Sequence, residues 1–196
     1  MATTDVDICN RALSRLGTRA TISALDENSV EARTASIWYA ATRDTLLRVH
    51  DWNFARRRVT LAEQGAAPTE WAFRYAVPTD CVRLLRLASA NPDMDSIRFE
   101  VAGDATGRFV LCDEPAAEAV YTARVDDPNL YDAGFASALV EQIAAHIAYP
   151  ITQKTETAVR LAQLARAALA DAMAADVNEA DSATGDRVPD WIAARA

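Results

Sequence analysis

The sequence is poor in lysine, glycine and histidine, and each shortage excludes functions. Lys154 is the only lysine beside nineteen arginines, and the 196 residues include six glycines and two histidines. No GxxxxGK[ST], GxGxxG or GxSxG pattern occurs, so a phosphate-binding loop, a dinucleotide-binding turn and a nucleophile elbow are not expected. His50 and His146 lack metal-ligand spacing such as HExxH, so no metal site is expected either.

Clustered cysteines and long apolar runs are also missing. Cys9, Cys81 and Cys112 are odd in number and form no CxxC pair, which predicts three buried thiols instead of a disulfide framework or a zinc site. No apolar run approaches the roughly 20 residues that span a bilayer. The N-terminus has Asp5 where a signal peptide carries a base. We therefore expect a protein made and kept inside a cell, or packaged into something assembled there.

What the chain does contain indicates a globular protein. Hydrophobic residues make up 51% and charged residues 24%, which suits a packed core. The formal net charge of −8 disfavours a protein that grips nucleic acid through a phosphate-neutralising face. Arginine makes planar, bidentate contacts that suit protein interfaces, although codon composition explains the arginine bias equally well.

Helical periodicity occupies both ends of the chain. Thr4 caps a first helix that Gly17 ends. A second helix is predicted over 29–50, with a buried stripe of Ile37, Ala40, Ala41, Leu46 and Leu47. A third is predicted over 131–149 and closed by Pro150, with core residues at steps of four: Phe135, Leu139, Ile143 and Ile147. A fourth is predicted over 155–177, with one apolar side formed by Leu161, Leu164, Ala165, Ala168, Leu169 and Met173.

Between the second and third helices the pattern alternates as strands do. Turn signals separate the runs, which predict a small antiparallel sheet of about five short strands. Trp71, Phe73 and Tyr75 stand at alternate positions, so we expect them to share one sheet face.

The predicted fold is therefore α+β. It is a four-helix bundle with a small antiparallel β module inserted between helices 2 and 3, plus an extended C-terminal arm. The predicted domains are a bundle from 1–55 and 126–180, a β module over 56–125 and an arm over 181–196.

No catalytic, cofactor-binding or metal-binding constellation is predicted. His50 beside Asp51 resembles a base with its orienting acid, so the alternative function is a small cytoplasmic enzyme of unknown reaction that uses His50 and Asp51, or Glu141. A third hypothesis is a nucleic-acid-binding module that uses the basic run Arg56, Arg57 and Arg58. The same run could instead contact a neighbouring subunit, and strand alternation points Arg57 away from the other two.

Four strings carry a resemblance to a known family. They are ICNRALSRLG at 8–17, a segment over 39–55 that ends in HDWNFA, WAFRYAVPTDCVR at 71–83 and PDWIAAR at 189–195. In this order they are similar to four motifs of the phage tail tubular protein A family. These are its N-A-L-x-x-I/L-G helix, its W-N/F-F-A exit, its W-x-Y-x-Y-x-x-P-x-D-C-L-R signature and its closing W-I-x-A-R. In the third string, Phe73 stands where the family motif has its first tyrosine.

The resemblance implies a non-enzymatic head-to-tail adaptor of a short-tailed bacteriophage. Members of such a family form a dodecameric ring between the portal protein and a tail nozzle of the tail tubular protein B type. DNA passes through this ring without sequence recognition, and no cofactor or membrane is implied. The expected location is the head–tail junction of the virion, after synthesis in the host cytoplasm.

The C-terminal arm is the predicted portal-binding element. Trp191, Ile192 and Arg195 are its candidate contacts, because aromatic residues contribute disproportionately to interfaces. The alternative for Trp191 is that it folds back on its own bundle. The negative net charge fits a channel for DNA, since an acidic wall does not hold phosphates.

Overall fold

The computed structural model of the protein describes residues 3–88 and 97–182, and within them the fold is α+β. All described strands lie between the second and third helices, as predicted. The helices are α1 Asp5–Arg15, α2 Val30–Val49, α3 Ala133–Thr152 and α4 Thr155–Ser182. The strands are β1 Arg56–Thr60, β2 Phe73–Ala76, β3 Cys81–Ala88, β4 Phe99–Asp104, β5 Gly107–Cys112 and β6 Glu118–Ala123. No helix in the described ranges is both long and apolar enough to cross a lipid bilayer.

Local chemistry accounts for both ends of α1. The Thr4 hydroxyl accepts a hydrogen bond from the backbone N–H of Asp7 at 3.1 Å, and the Asp7 carboxylate accepts one from the backbone N–H of Thr4 at 3.0 Å. This reciprocal capping box satisfies N–H groups at the helix start. Gly17 follows the helix with a φ of +75°, a left-handed conformation that glycine adopts without strain. The predicted start and stop are therefore confirmed.

The helical core forms where α3 packs against α1 and α4. On α3, the four residues predicted at steps of four are fully buried: Phe135, Leu139, Ile143 and Ile147. On α4, Leu161 and Ala165 are buried as predicted, but Leu164 is 44% exposed. A Cβ added to Gly134 would lie 3.3 Å from the Cα of Ala172, so α3 and α4 approach closely at this point. Small residues permit that approach.

Two predicted helix ends are wrong. Pro150 does not close α3, which continues to Thr152. Proline in the last turn removes one N–H donor, while Gln153 still donates to the Tyr149 carbonyl at 2.9 Å and ends the helix with a φ of +56°. Helix α4 runs to Ser182, so it includes the first two residues assigned to the arm. The rest of the predicted arm lies outside the described residues.

The buried face of α2 also differs from the predicted stripe. Leu46 and Leu47 are buried as expected, but Ile37 is 71% exposed, and Ala40 and Ala41 are exposed as well. The remaining buried positions are Ala32, Ala35, Tyr39, Thr42 and Arg43. Thr42 and Arg43 are polar, so a prediction based on apolar residues placed the buried face elsewhere on the helix. An arginine can lie on a buried face because its methylene stem packs against apolar surface.

The described part of the β region contains two three-stranded antiparallel sheets instead of a single sheet of about five strands. The first sheet has the order β1-β6-β3 and the second has the order β2-β5-β4. Tyr121 and Leu87 of the first sheet share a buried cluster with Tyr75 and Val110 of the second. Each sheet therefore contributes one apolar face to a common core.

The three aromatic residues before and within β2 do not all share a face. Phe73 and Tyr75 do, with ring centroids 6.0 Å apart. Trp71 instead joins Phe109 and Leu111 in a separate cluster. The reason is local, because the Trp71 N–H bonds to the Pro68 carbonyl in a turn before the strand begins, and the alternation does not extend through that turn.

The described chain divides into two compact units, and their junction lies inside α2. The helical unit comprises residues 3–43 and 127–182, and the β unit comprises Asp44–Asp126 without its undescribed segment. The sequence prediction placed this boundary after residue 55. The end of α2 belongs to the β unit because its side chains bond there, as Asp44 does with Arg124 at 3.1 Å.

Candidate functional site

The arginines of β1 lie on an exposed edge of the first sheet. Arg56, Arg57 and Arg58 are all exposed. β6 is the only described strand that pairs with β1, so β1 is an edge strand. Arg56 donates to both Asp51 carboxylate oxygens, at 3.2 and 2.9 Å, and Arg58 lies 3.4 Å from the Glu118 carboxylate. Two of the three charges are therefore matched by carboxylates of the same chain.

The His50–Asp51 pair lies where α2 leads into β1. Asp51 holds Arg56, and the His50 ring meets the Trp52 ring edge-on, with centroids 4.8 Å apart. Trp52 is fully buried, and its indole N–H donates to the Leu46 carbonyl at 2.8 Å. These contacts anchor the segment in the core of the β unit.

A buried carboxylate meets an arginine in the helical unit. Glu141 of α3 is 5% exposed, and its Oε1 accepts hydrogen bonds from Nε and Nη2 of Arg15 on α1. Its Oε2 is buried without a hydrogen-bond partner among the described residues. The pair borders a polar cavity of about 330 Å³, which Arg11 and Ser137 also line. The sequence offered Glu141 as an alternative catalytic acid, and only tertiary packing shows that its partner is Arg15.

His146 has a different neighbour from Glu141, although both lie on α3. Its ring stacks on the indole of Trp38 from α2, with centroids 4.4 Å apart and planes 5° from parallel. Desolvation lowers the pKa of His146 from its usual 6.5. The neutral imidazole is therefore the form that this stack favours.

Three further arginines of the β unit line one cavity, and sequence reasoning missed them as a group. Arg48 Nη1 donates to the Val82 carbonyl at 2.8 Å, Arg83 Nη1 to the Arg48 carbonyl at 3.4 Å, and Arg108 Nη1 to the Cys81 carbonyl at 3.3 Å. We call Arg48, Arg83 and Arg108 the arginine triad. No sequence signal joins them, because they come from α2, β3 and β5.

The three cysteines are buried free thiols in the structure. Burial raises the pKa of Cys81 and of Cys112, and it raises the pKa of Cys9 to about 12. They are therefore held as thiols, not as nucleophilic thiolates. Within the described ranges, no three histidine, cysteine or acidic side chains are grouped so that they could hold a metal ion.

Helix α2 has an exposed apolar strip. Val30 is 63% exposed, Ile37 is 71% exposed, and Ala41 is exposed. Steps of seven and four place these residues on one side of the helix. We call them the α2 strip. Ile37 and Ala41 of this strip belong to the stripe that the sequence had predicted to be buried.

The predicted portal contacts Trp191, Ile192 and Arg195 lie outside the described residues. Comparison with protein-family models finds no match to the chain, and comparison with curated proteins finds no significant match.

Proposed function

We propose that the chain is a structural head-to-tail adaptor subunit of a short-tailed bacteriophage. It forms a ring between the portal protein and the tail nozzle, and DNA passes through that ring. The α2 strip is the observation that carries this function, because Ile37 and Val30 are large apolar side chains left to solvent along one side of a helix. Aligned apolar exposure of this kind favours contact with another protein surface.

The positions of the family-like strings support the same function. Asn10 of the first string makes two hydrogen bonds with the backbone of Ile22, at 2.9 and 2.8 Å, and so ties the connection after α1 to that helix. Trp52 of the second string and Tyr75 and Cys81 of the third are buried. These strings therefore describe a structural framework, and their common order supports an adaptor-like fold.

A closed ring needs two different faces on each subunit, one meeting the other on the next copy. The α2 strip supplies one apolar face. The net charge of −8 suits the passage of DNA, since a wall without excess positive charge does not retain phosphates.

Assembly of the purified full-length chain on its cognate portal ring tests the function. Ile37→Glu should abolish ring formation, as seen by negative-stain microscopy and sedimentation, because it places a charge in the α2 strip. Ser36→Glu is the matched control, since Ser36 is exposed one position away on the same helix. Equal assembly by both variants, with unchanged circular dichroism, would contradict the role of the strip.

The C-terminal segment is tested separately. A chain ending at Thr184 should keep its helical circular dichroism and bind the portal ring more weakly than the full chain. Trp191→Ala should reproduce most of that loss, since an aromatic anchor at an interface typically contributes about 2 kcal/mol or more. If the shortened chain docks as tightly as the full one, the segment is not the portal anchor.

A further inference from the structure

We propose that the arginine triad is a binding site for a phosphate-class oxyanion, such as a phosphate monoester or a phosphodiester. The site lies wholly in the β unit and does not depend on the adaptor function. Arg48, Arg83 and Arg108 line a cavity of about 600 Å³, and Leu84 and Val101 complete its lining. That volume falls within the range of small-molecule sites.

The backbone of β3 holds the triad together. Arg48 and Arg108 donate to the carbonyls of Val82 and Cys81, and Arg83 is the next residue of the same strand. The three guanidinium groups are thus attached to the chain at Cys81, Val82 and Arg83, which are consecutive residues of β3. Each uses one nitrogen for its bond to a backbone carbonyl, so other N–H donors remain for a ligand.

Charge distinguishes the triad from five other described arginines. Arg15, Arg56, Arg58, Arg74 and Arg124 each pair with a carboxylate. Within the described part of the chain, the triad's hydrogen bonds go to carbonyls, and no acid lines its cavity. Three neighbouring cations without an acid are unexpected in a chain of net charge −8, since they repel one another.

The number of arginines indicates which anion fits. One guanidinium satisfies a carboxylate through two parallel hydrogen bonds, so three exceed what a single carboxylate needs. A phosphate group has more acceptor oxygens and, as a monoester, close to two negative charges. Arginine forks match its oxygens bidentately. The triad therefore suits phosphate better than a carboxylate from a second copy of the chain.

A second cavity extends the site. It has a volume of about 380 Å³ and shares Arg108 with the first, and its lining includes Cys81, Thr106 and Gln64. Arg108 therefore lines both cavities. A ligand larger than inorganic phosphate can place its phosphate at the triad and its remainder beyond Arg108.

Titration calorimetry on the full-length protein tests the site with inorganic phosphate and, at equal ionic strength, acetate. We expect phosphate to bind and acetate not to. Arg83→Gln and Arg108→Gln should each weaken phosphate binding by about tenfold or more, because each removes charge-assisted hydrogen bonds. Glutamine keeps an N–H donor for the carbonyl bond, so both variants should fold, which circular dichroism checks.

Arg166→Gln is the matched control, since Arg166 is exposed on α4 and its loss changes the net charge equally. It should leave phosphate binding unchanged. Fluorescence anisotropy with a labelled single-stranded oligonucleotide then separates the sources. If the oligonucleotide binds and phosphate displaces it, the ligand is a phosphodiester of nucleic acid. If phosphate binds and the oligonucleotide does not, the ligand is a free phosphate ester.

Three results would overturn the site. Phosphate binding no stronger than acetate binding is the first. An equal loss of phosphate affinity in Arg166→Gln is the second, because it would show a general charge effect. The third is a triad variant that changes only the sedimentation of the protein, which would assign the triad to a contact with a carboxylate of another copy.

Discussion

Removal of Arg15 should destabilise the protein more than neutralisation of its partner Glu141. The reason is the unequal burial of the pair, since the side chain of Glu141 is 6% exposed and that of Arg15 is 55% exposed. Arg15→Ala leaves a buried carboxylate that has lost its arginine and whose Oε2 already lacks a hydrogen bond among the described residues. Loss of the Glu141 charge instead leaves the Arg15 guanidinium, which water can solvate.

The magnitude follows from this burial. Breaking a fully buried pair costs about 3–5 kcal/mol. Because Arg15 is half exposed and a cavity of about 330 Å³ adjoins the pair, water partly replaces the guanidinium, and we expect about 2 kcal/mol. Glu141→Gln keeps an acceptor for Arg15 and removes the buried charge, so it should cost about 1 kcal/mol or less. The double variant should be more stable than Arg15→Ala alone.

Urea unfolding followed by far-ultraviolet circular dichroism measures these differences. Arg166→Ala, at an exposed position on α4, controls for the loss of a surface arginine. Arg15 also lies in the last turn of α1, where a cation stabilises the helix dipole by about 0.5 kcal/mol. A loss no larger than that, or a double variant as unstable as the single one, would refute the reasoning.

Three further outcomes follow from the described contacts. Trp52→Phe should lower the free energy of unfolding in urea by about 1–3 kcal/mol, because the Leu46 carbonyl loses its indole donor; the same loss in Trp71→Phe would contradict that cause. The pKa of His146 is lowered in the folded state, so stability should fall as the pH drops through 6.5 and below, where the unfolded state binds the proton more readily. Nuclear magnetic resonance titration of the imidazole should show Trp38→Ala moving this pKa upward, and a native pKa above 6.5 would contradict the desolvation. The three buried thiols should resist iodoacetamide at pH 8 until urea is added, because burial raises their pKa values, that of Cys9 to about 12. Mass spectrometry can check this, and rapid labelling of the native protein would show that burial does not protect them.

Residues that act on their own neighbours in the chain could be predicted from sequence. Thr4 and Asp7 cap α1 within one turn, and Gly17 follows it. The α3 core series from Phe135 to Ile147 was equally predictable, because four apolar residues at steps of four define one side of a helix whatever packs against it.

Residues whose environment depends on distant segments were not predictable. Ile37 is a residue type that usually lies in a core, yet its side chain is exposed, and the buried face of α2 includes the polar residues Thr42 and Arg43 instead. The split into two sheets depends on β6 lying between β1 and β3, and no local pattern specifies those pairings. The arginine triad was missed for the same reason, since its members are brought together by the end of α2 and by the strands of the β unit.

The sequence by itself determined the order of elements, the helix–β–helix plan and the residues of the α3 core, because caps, turns and periodicity act over a few residues. Only the tertiary structure decided which side of α2 is exposed, how the six described strands divide into two sheets, that Glu141 meets Arg15, and that Arg48, Arg83 and Arg108 share a cavity. These features depend on contacts between segments far apart in the chain, and a single sequence contains no local signal for such contacts.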